Sequence, residues 1–191
     1  MTTAAHAPRS TADARRITVI RHAVSVFGRG GYWATPVTAV AEAAKISPAY
    51  VFRLFDSKLS LFVAALDHCF ARIEEALEIG AERAADADPA TVLAAMGDAY
   101  AELIADRDLL MLQVHAQSAA DVPEIREALR RGYGDLVDFA KQRSRATDEQ
   151  VQSFIAHAQL CQLVVTADLD GVDAPWARTL TLGMRHVGRR P

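Results

Sequence analysis

Cysteine is almost absent from this chain, and the little that is present forms no motif. Cys69 and Cys161 are far apart in the sequence, and neither belongs to a Cys-x-x-Cys pair. This spacing excludes the usual zinc ligand sets and a disulfide framework. We therefore predict no metal, no cofactor and a reducing cytoplasmic environment.

Long hydrophobic runs are missing as well. No apolar stretch approaches the roughly 18–20 residues needed to span a bilayer. The first sixteen residues, MTTAAHAPRSTADARR, contain no apolar segment of the kind that a signal peptide needs. No repeat of about 20–50 residues is visible either. We therefore expect a cytoplasmic protein with no membrane partner.

Alternation of polar and apolar residues of the strand type is also absent, whereas helical periodicity recurs along the chain. Residues 1–10 are small and polar and are predicted to form a disordered tail. Glycines at 28, 30 and 31 predict the end of the first helix. The predicted helices cover about residues 11–27, 36–44, 48–55, 57–80, 89–105, 107–120, 123–144, 148–169 and 175–185. The fold class is thus all-α, with about nine helices.

Two short helices joined by a tight turn lie near the start of the chain. Thr35-Pro36 and Ser47-Pro48 each have the pattern of a capping residue followed by proline at the first helical position. Only two residues separate Ala44 from Ser47. This arrangement predicts a helix-turn-helix, whose second helix enters the major groove of DNA.

The same stretch resembles the N-terminal signature of TetR-type transcriptional regulators, and AYVFRLFDSK resembles the AcrR-like branch. The residues that carry the resemblance are Ala23, Phe27, Gly31, Tyr32, Thr35, Val37, Ala41, Ala44, Ser47, Phe52, Phe55 and Lys58. Two positions depart from the family pattern. Lys45 stands where glycine is common, and Phe52 replaces a tyrosine, so a phosphate contact through a hydroxyl at position 52 is lost.

The resemblance implies two domains. Residues 11–57 would form a three-helix DNA-binding domain, and residues 58–191 would form a helical domain for ligand binding and dimerisation. The charge distribution agrees with this division. Residues 1–58 contain eight basic and three acidic residues, a balance of +5, whereas the remaining 13 basic and 21 acidic residues give −8. A basic end on an acidic body is expected when that end alone meets phosphate.

The predicted DNA contacts lie on the recognition helix, in the turn before it and at neighbouring helix starts. They are Thr35, Lys45, Ser47, Pro48, Ala49, Tyr50, Arg53 and Lys58. Lys58 is notable because a cation in the first turn of a helix opposes the helix dipole, so an external phosphate would offset that cost. For Thr35 a capping role explains the residue equally well.

The body of the chain offers a candidate effector site of large apolar side chains with a few polar groups. Its predicted lining comprises Met96, Tyr100, Met111, His115, Gln117, Tyr133, Val137, Phe154 and His157. Core packing explains any one of these residues by itself. The absence of a charge cluster predicts a mostly apolar small-molecule effector.

The last two helices carry more apolar residues than one end of a monomer should leave uncovered. The predicted homodimer interface comprises Phe154, Leu160, Val164, Trp176, Leu180 and Met184. The resemblance implies a two-fold interface of four helices at this end.

Three functions compete. The preferred one is a transcriptional regulator, in the form of a repressor that binds a near-palindromic DNA operator as a dimer and is released by its effector. The alternative is a DNA-binding architectural protein with no effector. A helical enzyme that uses His115, His157 or Cys161 is a distant third, because His157 and Cys161 alone make neither a zinc site nor an oriented nucleophile. We predict no catalytic residue.

Overall fold

The computed structural model describes residues 11–184. The predicted tail at residues 1–10 and the predicted helix end at Arg185 lie outside these residues. The helices are α1 (Thr11–Ala34), α2 (Val37–Ala43), α3 (Pro48–Leu54), α4 (Lys58–Arg83), α5 (Pro89–Leu103), α6 (Arg107–Ser118), α7 (Pro123–Ser144), α8 (Asp148–Thr166) and α9 (Pro175–Leu180), with a 3₁₀ turn at Leu169–Gly171 before α9. The all-α prediction of about nine helices is confirmed.

Side-chain caps start most of the helices where the sequence predicts them. Ser47 Oγ accepts the Tyr50 amide at 3.2 Å, and Asp88 caps α5 through the amides of Ala90 and Thr91. At α8, the amide of Thr147 donates to Gln150 Oε1 and the amide of Gln150 donates to Thr147 Oγ1, which together form a capping box. Each cap satisfies backbone donors that the first helical turn leaves unpaired.

Thr35 does not cap α2, contrary to the prediction. The capping position belongs to Pro36, which makes no side-chain hydrogen bond. The Thr35 side chain is instead buried, and a methyl group placed on Gly30 would lie 2.3 Å from its hydroxyl oxygen. Thr35 thus fills the space beside a glycine of α1.

The first helix also continues past the predicted end at Phe27. Its axis breaks only at Gly31, whose φ of 71° and ψ of 177° suit glycine alone. Gly28 stays helical because α6 crosses there, and a methyl group at Gly28 would lie 2.3 Å from the backbone oxygen of Asp108.

α4 forms the centre of the core. Its buried stripe comprises Phe62, Leu66, Cys69, Phe70, Ile73 and Leu77. The helix ends at Arg83 rather than near Gly80. Gly80 lies inside it because the backbone of α5 crosses there, with the Met96 Cα atom 2.6 Å from where a methyl group would be. α4 packs against α1, α5, α6 and α7.

The C-terminal helices are shorter than predicted. α8 ends at Thr166 rather than Leu169, and α9 ends at Leu180. Asp168 adopts a left-handed backbone conformation that an α-helix cannot contain, so the chain turns before Leu169.

Candidate functional site

α2 and α3 form a helix-turn-helix with a Schellman turn between them. The Lys45 amide donates to the oxygen of Glu42, and the Ile46 amide donates to the oxygen of Ala41, both at 3.0 Å. Lys45 itself is left-handed, with φ of 55°. This is the position that most often holds glycine in such a turn. Lys45 therefore holds a conformation that an L-residue adopts only at a cost.

The exposed face of α3 is mixed in character. Pro48, Ala49, Phe52 and Arg53 face solvent, and the Phe52 ring is 50% exposed. Val51 packs inward and is 1% exposed. An apolar ring beside a guanidinium on one helix face can meet a thymine methyl group and an acceptor on a neighbouring base or phosphate.

Tyr50 lies beneath two guanidinium groups. The Arg15 and Arg53 Cζ atoms are 5.7 and 5.5 Å from the centre of its ring. Arg15 comes from α1, so the tyrosine joins cations of two helices at one surface. On α1, Arg16 also donates to the backbone oxygen of Leu54 at 2.6 Å. The positions of Arg15 and Trp33, which is 64% exposed at the end of α1, were not predicted, because neither follows a periodic pattern.

Lys58 finds partners inside the chain. Its Nζ atom donates to the backbone oxygen of Trp33 at 3.3 Å and lies 4.9 Å from the centre of the Tyr32 ring. Partial burial lowers the pKa of Lys58. The expected external phosphate is therefore not required to offset the helix dipole, because the carbonyl and the ring already stabilise the cation.

α6 holds α1 at two points. Asp108, at the start of α6, accepts hydrogen bonds from Ser25 and Arg29 of α1, the latter at 3.0 Å. His115, in the last turn of α6, packs on the break in α1. A methyl group at Gly31 would lie 2.9 Å from its Nδ1 atom. His115 thus contacts α1 at its break and lines neither of the two hollows described below.

The predicted effector-binding residues divide between two hollows. Tyr100, Tyr133 and Phe154 line an inner cavity of about 20 Å³ between α4, α5, α6, α7 and α8. Phe154 and His157 line an open groove of about 640 Å³ between α5 and α8. Met96 is fully buried in the core, and Gln117 is exposed while donating to the Tyr133 hydroxyl.

The other predicted lining residues lie outside both hollows. Met111 is half-buried on α6, and Val137 lines a separate surface hollow with Lys141 and Asp148. The sequence analysis did not predict that Gln113 and Gln162 are buried, at 2% and 4% exposure. Both are polar residues on helices whose apolar stripes give no signal that an amide is buried there.

Comparison with known proteins finds a family match in the N-terminal part of the chain. Residues 19–65, which span most of α1, the helix-turn-helix and the start of α4, match the family model for bacterial regulatory proteins of the tetR family. Over these residues the chain is thus similar to tetR-family regulators. A search of curated proteins gives no match.

Solved structures extend the similarity over nearly the whole chain. A TetR-family transcriptional regulator from Agrobacterium tumefaciens has a TM-score of 0.68 at 16% identity, covering 90% of this chain and 94% of that chain. The regulator FadR from Bacillus subtilis, in complex with stearoyl-CoA, has a TM-score of 0.67 at 15% identity, covering 88% and 99%. The fatty acid degradation regulator FadR from Bacillus halodurans has a TM-score of 0.63 at 20% identity, covering 90% and 97%. At these identities the similarity shows a shared TetR-type fold.

The chain exposes large apolar side chains near its C-terminal end. Leu163, Val172, Trp176 and Leu182 are 36–82% exposed. Among the predicted interface residues, Trp176 is exposed, whereas Leu160, Leu180, Met184 and Phe154 are half-buried. Val164 was placed wrongly, because it is 0% exposed within its own chain. Its neighbour Leu163 occupies the outward position on α8.

Residues considered for an enzymatic role are poorly placed for it. Burial raises the pKa of the Cys161 thiol, which disfavours the nucleophilic thiolate. Within residues 11–184, no three His, Cys, Asp or Glu side chains come together in a way that could hold a metal ion. In the same part of the chain, no helix is long and apolar enough to cross a membrane.

Proposed function

We propose that this TetR-family regulator is a repressor that binds a near-palindromic operator as a dimer and leaves it when a small, mostly apolar effector binds. The DNA-binding part of this proposal rests on the exposed face of α3. Phe52 and Arg53 project from a short helix held by the Ser47 cap, and the Arg15–Tyr50–Arg53 cluster adds positive charge beside it. We retain Lys45, Ser47, Pro48, Ala49 and Lys58 as proposed contacts with the DNA backbone.

The exposed C-terminal surface supports dimerisation. We define the C-terminal apolar surface as Leu163, Val172, Trp176 and Leu182. A second copy would cover it through a self-complementary two-fold contact. Two recognition helices could then lie in successive major grooves, about 34 Å apart.

The contacts of α6 and α4 support a route for effector release. α4 runs without interruption from Lys58, beside the DNA face, to Leu77, which lines the inner cavity. α6 contributes Gln113 to that cavity and holds α1 through Asp108 and His115. An effector that displaces either helix would change the spacing of the recognition helices, and the operator tolerates only one spacing.

The lining supports an apolar effector. The inner cavity has no charged side chain, and one of the structural neighbours was solved with stearoyl-CoA. Coupling between the two sites is reciprocal. An effector that weakens DNA binding a hundredfold must itself bind the DNA complex about a hundredfold less tightly.

The first experiment is selection of operator DNA by the purified protein from a pool of genomic fragments, followed by footprinting. We expect a near-palindromic protected site. Arg53→Ala should weaken specific binding by about 1–3 kcal/mol if it contacts a guanine. Arg130→Ala, which removes an exposed arginine of α7, is the matched control and should change nothing. Equal binding by wild type and Arg53→Ala would contradict the assignment of α3.

The small inner cavity favours one alternative, a DNA-binding protein that responds to no effector. A cavity of about 20 Å³ holds roughly one water molecule. An extract or compound library that never changes operator binding would support this alternative. A compound that binds free protein and DNA complex equally well would also argue against the repressor switch, because it could not shift the equilibrium.

A further inference from the structure

Two buried amides face each other in an otherwise apolar core. Gln162 Nε2 donates to Gln113 Oε1 at 3.0 Å and to the Tyr100 hydroxyl at 2.9 Å. The Nε2 atom of Gln113 has no hydrogen-bond partner, although the residue is only 2% exposed. A buried donor without an acceptor is costly, so an acceptor from outside the chain would be bound favourably at this point.

The free amide belongs to the inner cavity. The surrounding apolar side chains include Ile73, Leu77 and Leu136, and no lysine or arginine lines the space. The other polar groups are already paired, because the Tyr133 hydroxyl accepts from both Gln117 and Gln159. Burial raises the pKa of Tyr100 and of Tyr133, so both phenols stay neutral.

Phe154 stands between this cavity and the open groove. It is the residue common to the linings of both hollows. Its Cε2 atom lies 3.7 Å from where a methyl group on Gly97 would be, an ordinary van der Waals distance, so the ring packs against α5 at this glycine. The groove, at about 640 Å³, falls within the size range of small-molecule sites, whereas the cavity does not. Movement of the Phe154 ring would connect the two.

Building on the proposed effector response, we propose that Phe154 gates a composite effector site. In this site the groove between α5 and α8 binds the apolar part of the effector, and Gln113 Nε2 donates a hydrogen bond to a neutral carbonyl group of the effector. An acceptor is required because the free group is an N–H donor. Neutrality follows at Gln113 itself, because a carboxylate there would be buried without a cation, and an ammonium there would meet a donor rather than an acceptor; the acidic side chains of the site, Asp98 and Glu149, line the groove and not the cavity. Gln113 is the residue that determines specificity, and Phe154 controls entry.

The test uses three eight-carbon probes titrated into the full chain by calorimetry: 2-octanone, octanoate and octylammonium. We expect saturable one-to-one binding of 2-octanone and at least tenfold weaker binding of both ions. Gln113→Leu should weaken 2-octanone binding about fivefold to tenfold. The matched control is Gln142→Leu, which removes an exposed amide of α7 that lines neither hollow. It should retain most of the affinity.

The gating role of Phe154 is tested separately, by the rate at which the probe associates. Phe154→Ala should accelerate association of 2-octanone in stopped-flow measurements, and Phe154→Trp should slow it. Gln113→Met serves as a second variant if Gln113→Leu fails to give a cooperative melting transition. The proposal is overturned by the absence of 2-octanone binding, by octanoate binding as tightly as the ketone, or by unchanged ketone affinity in both Gln113 variants.

These outcomes are separable from the proposed function. Operator selection and footprinting need no probe, so a protein that binds DNA but not 2-octanone would refute only the gated site. A protein that binds 2-octanone with the expected variant pattern but selects no DNA would refute the repressor and retain the site.

Discussion

At the scale of single residues, the helix-turn-helix includes two residues that differ from the TetR-type pattern, and each has a structural consequence. Lys45 takes the left-handed position of the Schellman turn, and Phe52 exposes half of its ring on the recognition helix. The first affects stability and the second affects recognition, so they can be tested independently.

Lys45→Gly should stabilise the protein by about 1 kcal/mol, because glycine adopts the left-handed conformation without the steric cost of a Cβ atom. Chemical denaturation measures this change. Lys45→Ala is the matched control, since it removes the same charge but keeps the Cβ atom, and it should give no gain. Both variants should reduce the salt dependence of DNA binding equally if Lys45 meets phosphate. Equal stability of the two variants would show that the turn is not strained.

Phe52→Ala should weaken binding to the selected operator by about 1 kcal/mol, through loss of apolar contact with a thymine methyl group. Phe52→Tyr keeps the ring and should retain this contact. Binding to operators in which each A·T pair is changed in turn would locate the effect at one position. A loss spread evenly over all positions would instead assign Phe52 to non-specific packing against DNA.

At the scale of elements, the junction of α1 with α6 links the DNA-binding end to the body. Asp108 accepts from Ser25 and Arg29, and Gly28 allows the close approach of the two backbones. Burial by itself would raise the pKa of Asp108, but the hydrogen bonds from Arg29 and Ser25 outweigh it and leave the pKa below its ordinary value.

Asp108→Asn should destabilise the protein at pH 7 by about 1 kcal/mol, roughly the worth of a hydrogen bond to a partly buried group. Because the pKa of Asp108 is lower in the folded state, its carboxylate stabilises the protein at pH values above the unfolded-state pKa, near 3.9. This contribution is lost as the pH falls through the folded-state pKa. The difference between wild type and variant should therefore be constant at neutral pH and shrink below about pH 4. Thermal unfolding at several pH values measures it, and a difference that persists at pH 2 would exclude the carboxylate as its source.

At the scale of the whole molecule, the acidic body, the basic DNA-binding end and the C-terminal apolar surface occupy different parts of the chain. The exposed residues of the apolar surface lie between Leu163 on α8 and Leu182 in the sequence. The basic N-terminal end can therefore bind DNA, while the C-terminal apolar surface can contact a second copy of the chain.

Leu163→Arg should convert the dimer into monomers and weaken operator binding by at least tenfold, because each half-site would then be bound separately. Ile79→Arg is the matched control, since Ile79 on α4 has the same 49% exposure as Leu163 and lies outside the C-terminal apolar surface. Sedimentation velocity at micromolar concentration distinguishes the two. A wild-type monomer would refute dimerisation, and a dimer unaffected by Leu163→Arg would place the interface elsewhere.

Several features of this protein follow from local sequence alone. Caps such as Ser47, Asp88 and the Thr147–Gln150 pair bind donors within three residues, so the stretch itself contains all the interacting groups. The buried stripe of α4 follows in the same way from helical periodicity. The helix-turn-helix resemblance also rests on a continuous segment, and residues 19–65 carry the family match.

Only the tertiary structure decided which residues of each helix meet other helices. Leu163 and Val164 are adjacent and similar in hydrophobicity, yet one is 49% exposed and the other fully buried. Gln113 looks like a surface residue, but the packing of α4, α5, α7 and α8 encloses it. Gly28 and Gly80 look like helix ends, but they remain helical because α6 and α5 cross there. In each case the deciding contact comes from residues distant in sequence, and periodicity along one helix contains no information about its neighbours.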